Sequence, residues 1–164
     1  MKNILITGAN SFVGTSVEAW LLRNKNEYKV DIVDTMNDAW KKADFTKYDV
    51  VFHVAGIAHV DPKPEMAPLY YKVNRDLTVE IAKHTKASGV KQFVFMSSQI
   101  VYHASKSLEG TVISKNTKPN PNDFYGDSKL QAEKGLNELA SDDFKVVNLR
   151  PCMIYGTNGK GNFQ

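Results

Sequence analysis

One cysteine, Cys152, is all the thiol the 164-residue chain carries, so no internal disulfide can staple it and a reducing compartment suits it. No stretch approaches the roughly 18 consecutive apolar residues of a membrane span. At the N-terminus a single lysine precedes only three apolar residues, Ile4 to Ile6, which is not the pattern of a secretory signal. The lysines are scattered, and a net charge of +3 without a dense basic block argues against a nucleic-acid or membrane partner. There is no internal repeat and no low-complexity tract. His53 and His59 have no third ligand at suitable spacing, so no metal site is expected. What these absences leave is one globular domain, expected to be cytoplasmic, with 42% hydrophobic residues to build its core.

What is present is an alternation of apolar runs with helical patterns. Ile4–Ile6, Tyr28–Asp34, Asp49–Gly56, Lys91–Ser98 and Phe144–Pro151 read as strands, most of them apolar without polar alternation and so buried on both faces. Between them, Ser11–Arg23, Leu69–Ser88 and Tyr125–Ala140 carry apolar residues at helical spacing. In the first helix Phe12, Val13, Val17, Trp20 and Leu21 fall on one face; in the second, Val73, Leu77, Ile81 and Ala82 point inward, with Gly89 as C-cap. This pitch predicts an α/β fold, a doubly wound parallel sheet with helices on both faces, Rossmann-like. The weak place is Thr35–Tyr48. Trp40–Ala43 reads as a poor third strand, and the residues left before the next strand are too few for a crossover helix, so the third strand/helix unit is reduced.

The first strand stops at Thr7-Gly8 and turns almost at once into a helix. Unpartnered N–H groups at that helix start, with the positive end of its dipole, suit a phosphate or pyrophosphate. Gly8 and Gly14 fill the ends of a G-x-x-G-x-x-G spacing whose middle position holds Ser11; an ordinary βα turn with a left-handed Gly8 fits the same residues. Asp34 ends the second strand twenty residues after Gly14, where dinucleotide folds place the carboxylate that binds the adenosine ribose. A carboxylate there repels a 2′-phosphate and favours NAD over NADP. A solvated strand-capping residue is the alternative. Asp44 and Phe45 are placed to approach the adenine ring.

Tyr125 and Lys129 stand at i, i+4 on one helix face. A phenol with a pKa near 10 is a poor base at neutral pH, and a neighbouring ammonium favours its ionised form. Such a pair suits proton transfer to and from an alcohol or carbonyl oxygen, and Ser98, ending a strand, adds a hydroxyl donor.

Five segments in order, TGANSFVG (Thr7–Gly14), HVAG (His53–Gly56), SSQIVY (Ser97–Tyr102), YGDSK (Tyr125–Lys129) and LRPCMIYG (Leu149–Gly156), resemble the extended short-chain dehydrogenase/reductase family, in its NAD-dependent epimerase/dehydratase group. The resemblance spans nearly the whole chain. It implies that Tyr125 is the catalytic acid/base, that Lys129 binds the nicotinamide ribose and tunes Tyr125, and that Ser98 rather than Ser97 is the third member, because Val101-Tyr102 sets the frame. It further implies that Gly8, Asn10, Ser11, Phe12, Val13 and Gly14 hold the pyrophosphate of NAD, that Asp34 holds the ribose, and that Val54, Ala55 and Gly56 pass close to the cofactor. Asn74 matches an asparagine common in this group; otherwise it is a helix-surface residue. The activity implied is epimerisation of a nucleotide-sugar. A 4-keto-sugar reductase or dehydratase, and a silent NAD-binding fragment, are the alternatives, and a homodimer through Asn74–Ser88 and Tyr125–Ala140 is possible by analogy.

Three departures stand out: Ser11 for the middle glycine, His103 where glycine usually follows Val-Tyr, and an end at Gln164 where relatives run on into a substrate-gripping region. The expectation is an NAD-binding domain over residues 1–164, truncated before its substrate region.

Overall fold

The computed structural model describes residues 1–58, 63–102 and 112–156. Its strands are β1 (Lys2–Thr7), β2 (Tyr28–Val33), β3 (Val50–His53), β4 (Gln92–Met96) and β5 (Lys145–Leu149). They form a five-stranded sheet in the order β2-β1-β3-β4-β5, every neighbouring pair parallel. The pleat sends alternate residues to opposite faces. Ile4, Ile6 and Phe52 go one way, against Val13, Val17 and Leu21 of α1 (Phe12–Leu21). Leu5, Val51, Phe93 and Phe95 go the other way, against Ile81 and Ala82 of α3 (Thr78–Ala87) and Ala132 and Leu136 of α4 (Phe124–Leu139). Two cores on two faces explain why the strands read as apolar runs.

A short helix, α2 (Ala67–Tyr70), leads into α3 through a seven-residue π-turn, Tyr71–Leu77. Gly89, at φ +79°, ends α3 in the left-handed conformation that glycine adopts freely.

Several expectations need correcting. Trp40–Ala43 is not a strand: Asp38–Lys42 is a 3-10 turn started by Asn37, whose side chain accepts the Ala39 N–H. The Trp40 indole is buried and meets His84 edge-on, 5.6 Å between ring centres. Phe45 packs on the same histidine at 4.7 Å. Two large rings thus fill the face that a third strand's helix would have covered, and the reduced unit is a plug. Trp20 is 57% exposed, because it stands at the margin of the stripe centred on Gly14, Val17 and Leu21. Asn74, matched to the asparagine common in the resembling group, is buried rather than on the helix surface that was its alternative: the π-turn carries it and Thr78 fully inward. His59, His103 and residues 104–111 and 157–164 lie outside the described residues. Among those described, no helix is long and apolar enough to cross a membrane.

The chain runs outward from β1 to β2, then returns past β1 to β3. That reversal leaves a crevice at the carboxyl ends of β1 and β3, the place where open α/β sheets bind ligands.

Candidate active site

The crevice is built first by two tight turns. Thr7 O accepts N–H groups from both Val54 and Ala55 at 3.0 Å, drawing the end of β3 against the end of β1. Gly8 lies in that closure with φ +112°, and a Cβ there would come within 2.7 Å of Ala55 N. No other residue fits. Asn10 takes the left-handed conformation, φ +61°, which asparagine tolerates better than most side chains. Ser11 is the N-cap of α1, its hydroxyl accepting the Gly14 N–H at 3.1 Å. A Cβ on residue 14 would come within 2.5 Å of that hydroxyl and 3.2 Å of Val54 Cγ2, so a side chain at 14 would push the cap out of place. The Phe12 and Val13 N–H groups, in the first turn, have no intrahelical acceptor and meet the positive end of the helix. The glycine-lined turn and these donors fit a pyrophosphate.

Asp34 is exposed just beyond β2, and its Oδ1 accepts the Met36 N–H at 2.9 Å. Asp44 is also exposed, but it is turned onto Thr46, whose hydroxyl and N–H donate to it at 2.6 and 2.9 Å and hold its carboxyl below the usual range. The Phe45 ring is only 1% exposed, which closes it to the expected adenine contact.

The second half of the site hangs on α4. Asp123 caps it, accepting the Gly126 N–H at 2.6 Å. A Cβ on Gly126 would lie 2.9 Å from Ile100 O, so the helix start is pressed against the loop that carries Ser98. Here the Ser98 hydroxyl comes close enough to act on the Tyr125 phenol. Burial pushes the Tyr125 phenol above its ordinary pKa, and Ser98 pulls the other way. Lys129, one turn on, is 5% exposed. Its Nζ donates to Met96 O at 3.0 Å and stands 4.7 Å over the Phe95 ring. Burial pulls its pKa down to about 8, with Glu133 acting upward. The expectation that the Lys129 ammonium depresses Tyr125 is therefore corrected: one of its three N–H groups goes to a β4 carbonyl, and burial dominates the phenol.

Asn74 ties the two halves together. Its Oδ1 accepts the Ile57 N–H at 2.8 Å, and its Nδ2 donates to Ile57 O at 3.1 Å and Ser128 Oγ at 3.2 Å. A Cβ on Gly56 would come within 2.9 Å of Asn74 Oδ1 and 3.1 Å of Lys129 Nζ. The HVAG turn thus passes hard against the lysine. Beneath it lies His53, fully buried, with Nδ1 2.6 Å from Thr7 Oγ1 and Nε2 2.9 Å from Thr78 Oγ1. Thr78 gives its single proton to Asn74 O at 2.8 Å. It must therefore accept from His53, which fixes the Nε2–H tautomer and leaves Nδ1 to accept from Thr7. Desolvation, with the Lys129 charge adding to it, holds the His53 pKa at about 3, so the ring is neutral. Among the described residues, no three His, Cys, Asp or Glu side chains are grouped to hold a metal.

So Ser98, Tyr125, Lys129, Asn74 and Gly56 come together, beside the turn formed by Gly8 to Gly14. Sequence reasoning gave His53 no metal to hold and no other role, weighed Ser97 only as the neighbour of Ser98, and passed over Thr78, Glu133 and Arg150. Glu133 alone left a signal: a charge four residues after Lys129, beside the inward Ala132.

A doubly wound sheet with a glycine turn at its switch point defines the Rossmann-like class. Within that class the chain belongs to the NAD dependent epimerase/dehydratase family, whose profile matches residues 4–164. It is 37% identical, over 180 aligned positions, to a UDP-glucose 4-epimerase of Vibrio cholerae, covering 99% of this chain and 55% of that one. It is 29% identical to an Escherichia coli O157:H7 N-acetyl-alpha-D-glucosaminyl-diphospho-ditrans,octacis-undecaprenol 4-epimerase, covering 98% and 51%. Among solved structures, dTDP-4-dehydrorhamnose reductase of Bacillus anthracis, in complex with NADP, superposes with a TM-score of 0.77 at 25% identity, covering 98% and 57%. UDP-glucuronic acid 4-epimerase of Bacillus cereus, in complex with NAD, superposes at 0.76 and 23%, covering 94% and 57%, a likeness of fold. The chain spans about half the length of the curated relatives it matches.

Proposed function

We propose that this chain is the NAD-binding and proton-transferring part of a nucleotide-sugar epimerase. The observation that carries the reading is the meeting of Ser98, Tyr125 and Lys129 at the strand ends that also bear the Gly8–Gly14 turn. In this reading Gly8, Asn10, Ser11, Phe12, Val13 and Gly14 cradle the pyrophosphate, Asp34 holds the adenosine ribose, and Val54, Ala55 and Gly56 line the floor. When bound, NAD supplies the acceptor for a hydride from a sugar carbon and its return. Tyr125 takes the proton of the sugar hydroxyl as the carbon is oxidised and gives it back on reduction; Ser98 steadies the same oxygen. Lys129, still largely protonated at neutral pH with a pKa of about 8, holds the nicotinamide ribose and supplies the local positive charge. Reduction of the keto-sugar from its other face inverts the carbon. A homodimer through Asn74–Ser88 and Tyr125–Ala140 accompanies this reading.

A second reading is favoured by one observation, the half-length match: an NAD-binding portion without turnover of its own. Calorimetric titration with NAD and incubation with UDP-hexoses separate the two. The expected result is NAD binding and an inverted sugar without net consumption of NADH. Net NADH consumption with product points instead to a reductase, NAD binding alone to the silent portion, and absence of binding below millimolar NAD defeats both readings. Tyr125→Phe is expected to cut turnover by at least about a hundredfold, the usual worth of a positioned acid/base, while leaving NAD affinity near its starting value.

A further inference from the structure

We propose that Glu133 is a positioning residue for the proton-transfer set: its buried carboxylate ties the Ser98 loop and the segment after β5 to the helix bearing Tyr125 and Lys129. This rests on the reading of Ser98, Tyr125 and Lys129 given above.

Glu133 is 1% exposed, and a carboxylate out of water is costly unless fully paired. It is paired three ways. Ser97 Oγ donates to Oε1 at 2.5 Å, and Arg150 Nε reaches Oε1 at 2.9 Å and Oε2 at 3.2 Å. Arg150 Nη2 adds a further bond to Oε2, completing a fork, while Nη1 donates to the Tyr102 hydroxyl. One carboxylate therefore grips Ser97, immediately before Ser98, and through Arg150 it grips Tyr102, at the other end of the Gln99–Tyr102 turn. Backbone bonds lace the same pieces: Ser97 N to Leu149 O at 2.8 Å and Gln99 N to Pro151 O at 3.0 Å. Ser98 is held on both sides. The Arg150–Pro151 chain leaves the sheet from this knot.

The knot also bears on Lys129. The groups packed around that ammonium are Glu133 from α4, neutral His53 from β3, the Phe95 ring and Met96 carbonyl from β4, and Asn74 beside Gly56. Glu133 is the anion that acts on it, and the Arg150 cation stands against the far side of the same carboxylate. Removing Glu133 is then expected to lower the Lys129 pKa, and removing Arg150, which leaves that carboxylate without its cation, to raise it. A scaffold pair with no influence on the site would do neither.

The test uses the full chain carrying 13C-labelled lysine, with the Lys129 resonance assigned by its loss in Lys129→Met. Glu133→Gln keeps the side chain's shape and is expected to bring the Lys129 titration below the natural chain's midpoint of about 8. Arg150→Met is expected to bring it above, and so is Ser97→Ala, which strips a donor from the carboxylate; Ser97→Ala serves if Arg150→Met fails to fold, and Glu133→Met if Glu133→Gln does. Midpoints that stay together, or all shift one way, in folded variants overturn the proposal. With a nucleotide-sugar and NAD, Glu133→Gln is expected to lower kcat by at least about tenfold with KM little changed, a loss confined to the reacting state. An unchanged kcat counts against positioning. If the natural chain turns over no nucleotide-sugar, the functional reading fails while the lysine titration still decides the inference.

Discussion

Ser11 shows how one side chain can replace the glycine of a motif without breaking it. The hydroxyl caps α1 through the Gly14 N–H, and the space it occupies is the space that Gly14 leaves by having no Cβ. Removing the cap while keeping a side chain, Ser11→Ala, is expected to cost about 1 kcal/mol of stability, and Ser11→Gly only a few tenths. Urea unfolding of the two variants checks the order; equal losses would remove the cap from the account. Residues of this kind were legible in advance because spacing placed them: Gly8, Gly14, Asp34, Tyr125 and Lys129 all stand at offsets that a helix or a strand end converts directly into geometry. The effect of Lys129 on Tyr125 was not legible. It depended on whether the ammonium faced the phenol or the Met96 carbonyl, and only packing decided that.

The π-turn between α2 and α3 is the element that does most for the site. Widening the helix there brings Asn74 and Thr78 inward, and the chain Thr7–His53–Thr78–Asn74 runs from the end of β1 to the Gly56–Ile57 turn that Asn74 holds. Its pH behaviour follows from His53, whose folded pKa of about 3 lies below the ordinary value of 6.5. In that window the unfolded chain binds the extra proton, so stability rises with pH and is lost as pH falls from 6.5 toward 3. Natural chain and His53→Gln should therefore converge: by pH 4.5 the natural chain gives up on the order of 3 kcal/mol that the variant does not. Thermal unfolding of both from pH 7 to pH 4.5 measures it, and parallel curves would contradict a neutral buried His53. Helical periodicity foresaw this helix but not its π-turn, since Val73, Leu77 and Ile81 stand four apart, a spacing that an unbroken α-helix fits as well. Asn74 was for that reason assigned to either a site or a surface.

At the level of the molecule, the sheet reverses direction between β1 and β3, and everything discussed above lies along the carboxyl ends of those strands and of β4. A ligand bound there and absent from the unfolded chain stabilises the whole fold. NAD at a hundred times its dissociation constant should add about 2.7 kcal/mol and raise the unfolding temperature by roughly 5–10 °C. NADP at the same concentration should raise it less, because the exposed Asp34 carboxylate opposes a 2′-phosphate. Differential scanning fluorimetry with both nucleotides decides it, and equal shifts would remove Asp34 from the ribose.

The parallel sheet, its helices on both faces and the reduction of the unit between β2 and β3 could be read from the order of apolar runs, because burial on both faces suppresses polar alternation wherever it occurs; that the unit holds no strand could not. The Tyr-Lys pair and the glycine turn could be read too, because local backbone geometry converts spacing into direction. Tertiary packing decided the remainder: that Trp40 and Phe45 plug a core, that His53 is neutral and bonded on both nitrogens, and that Glu133 meets Ser97 and Arg150. Those are contacts between residues far apart in the chain, and no local period encodes a partner that only folding brings within reach.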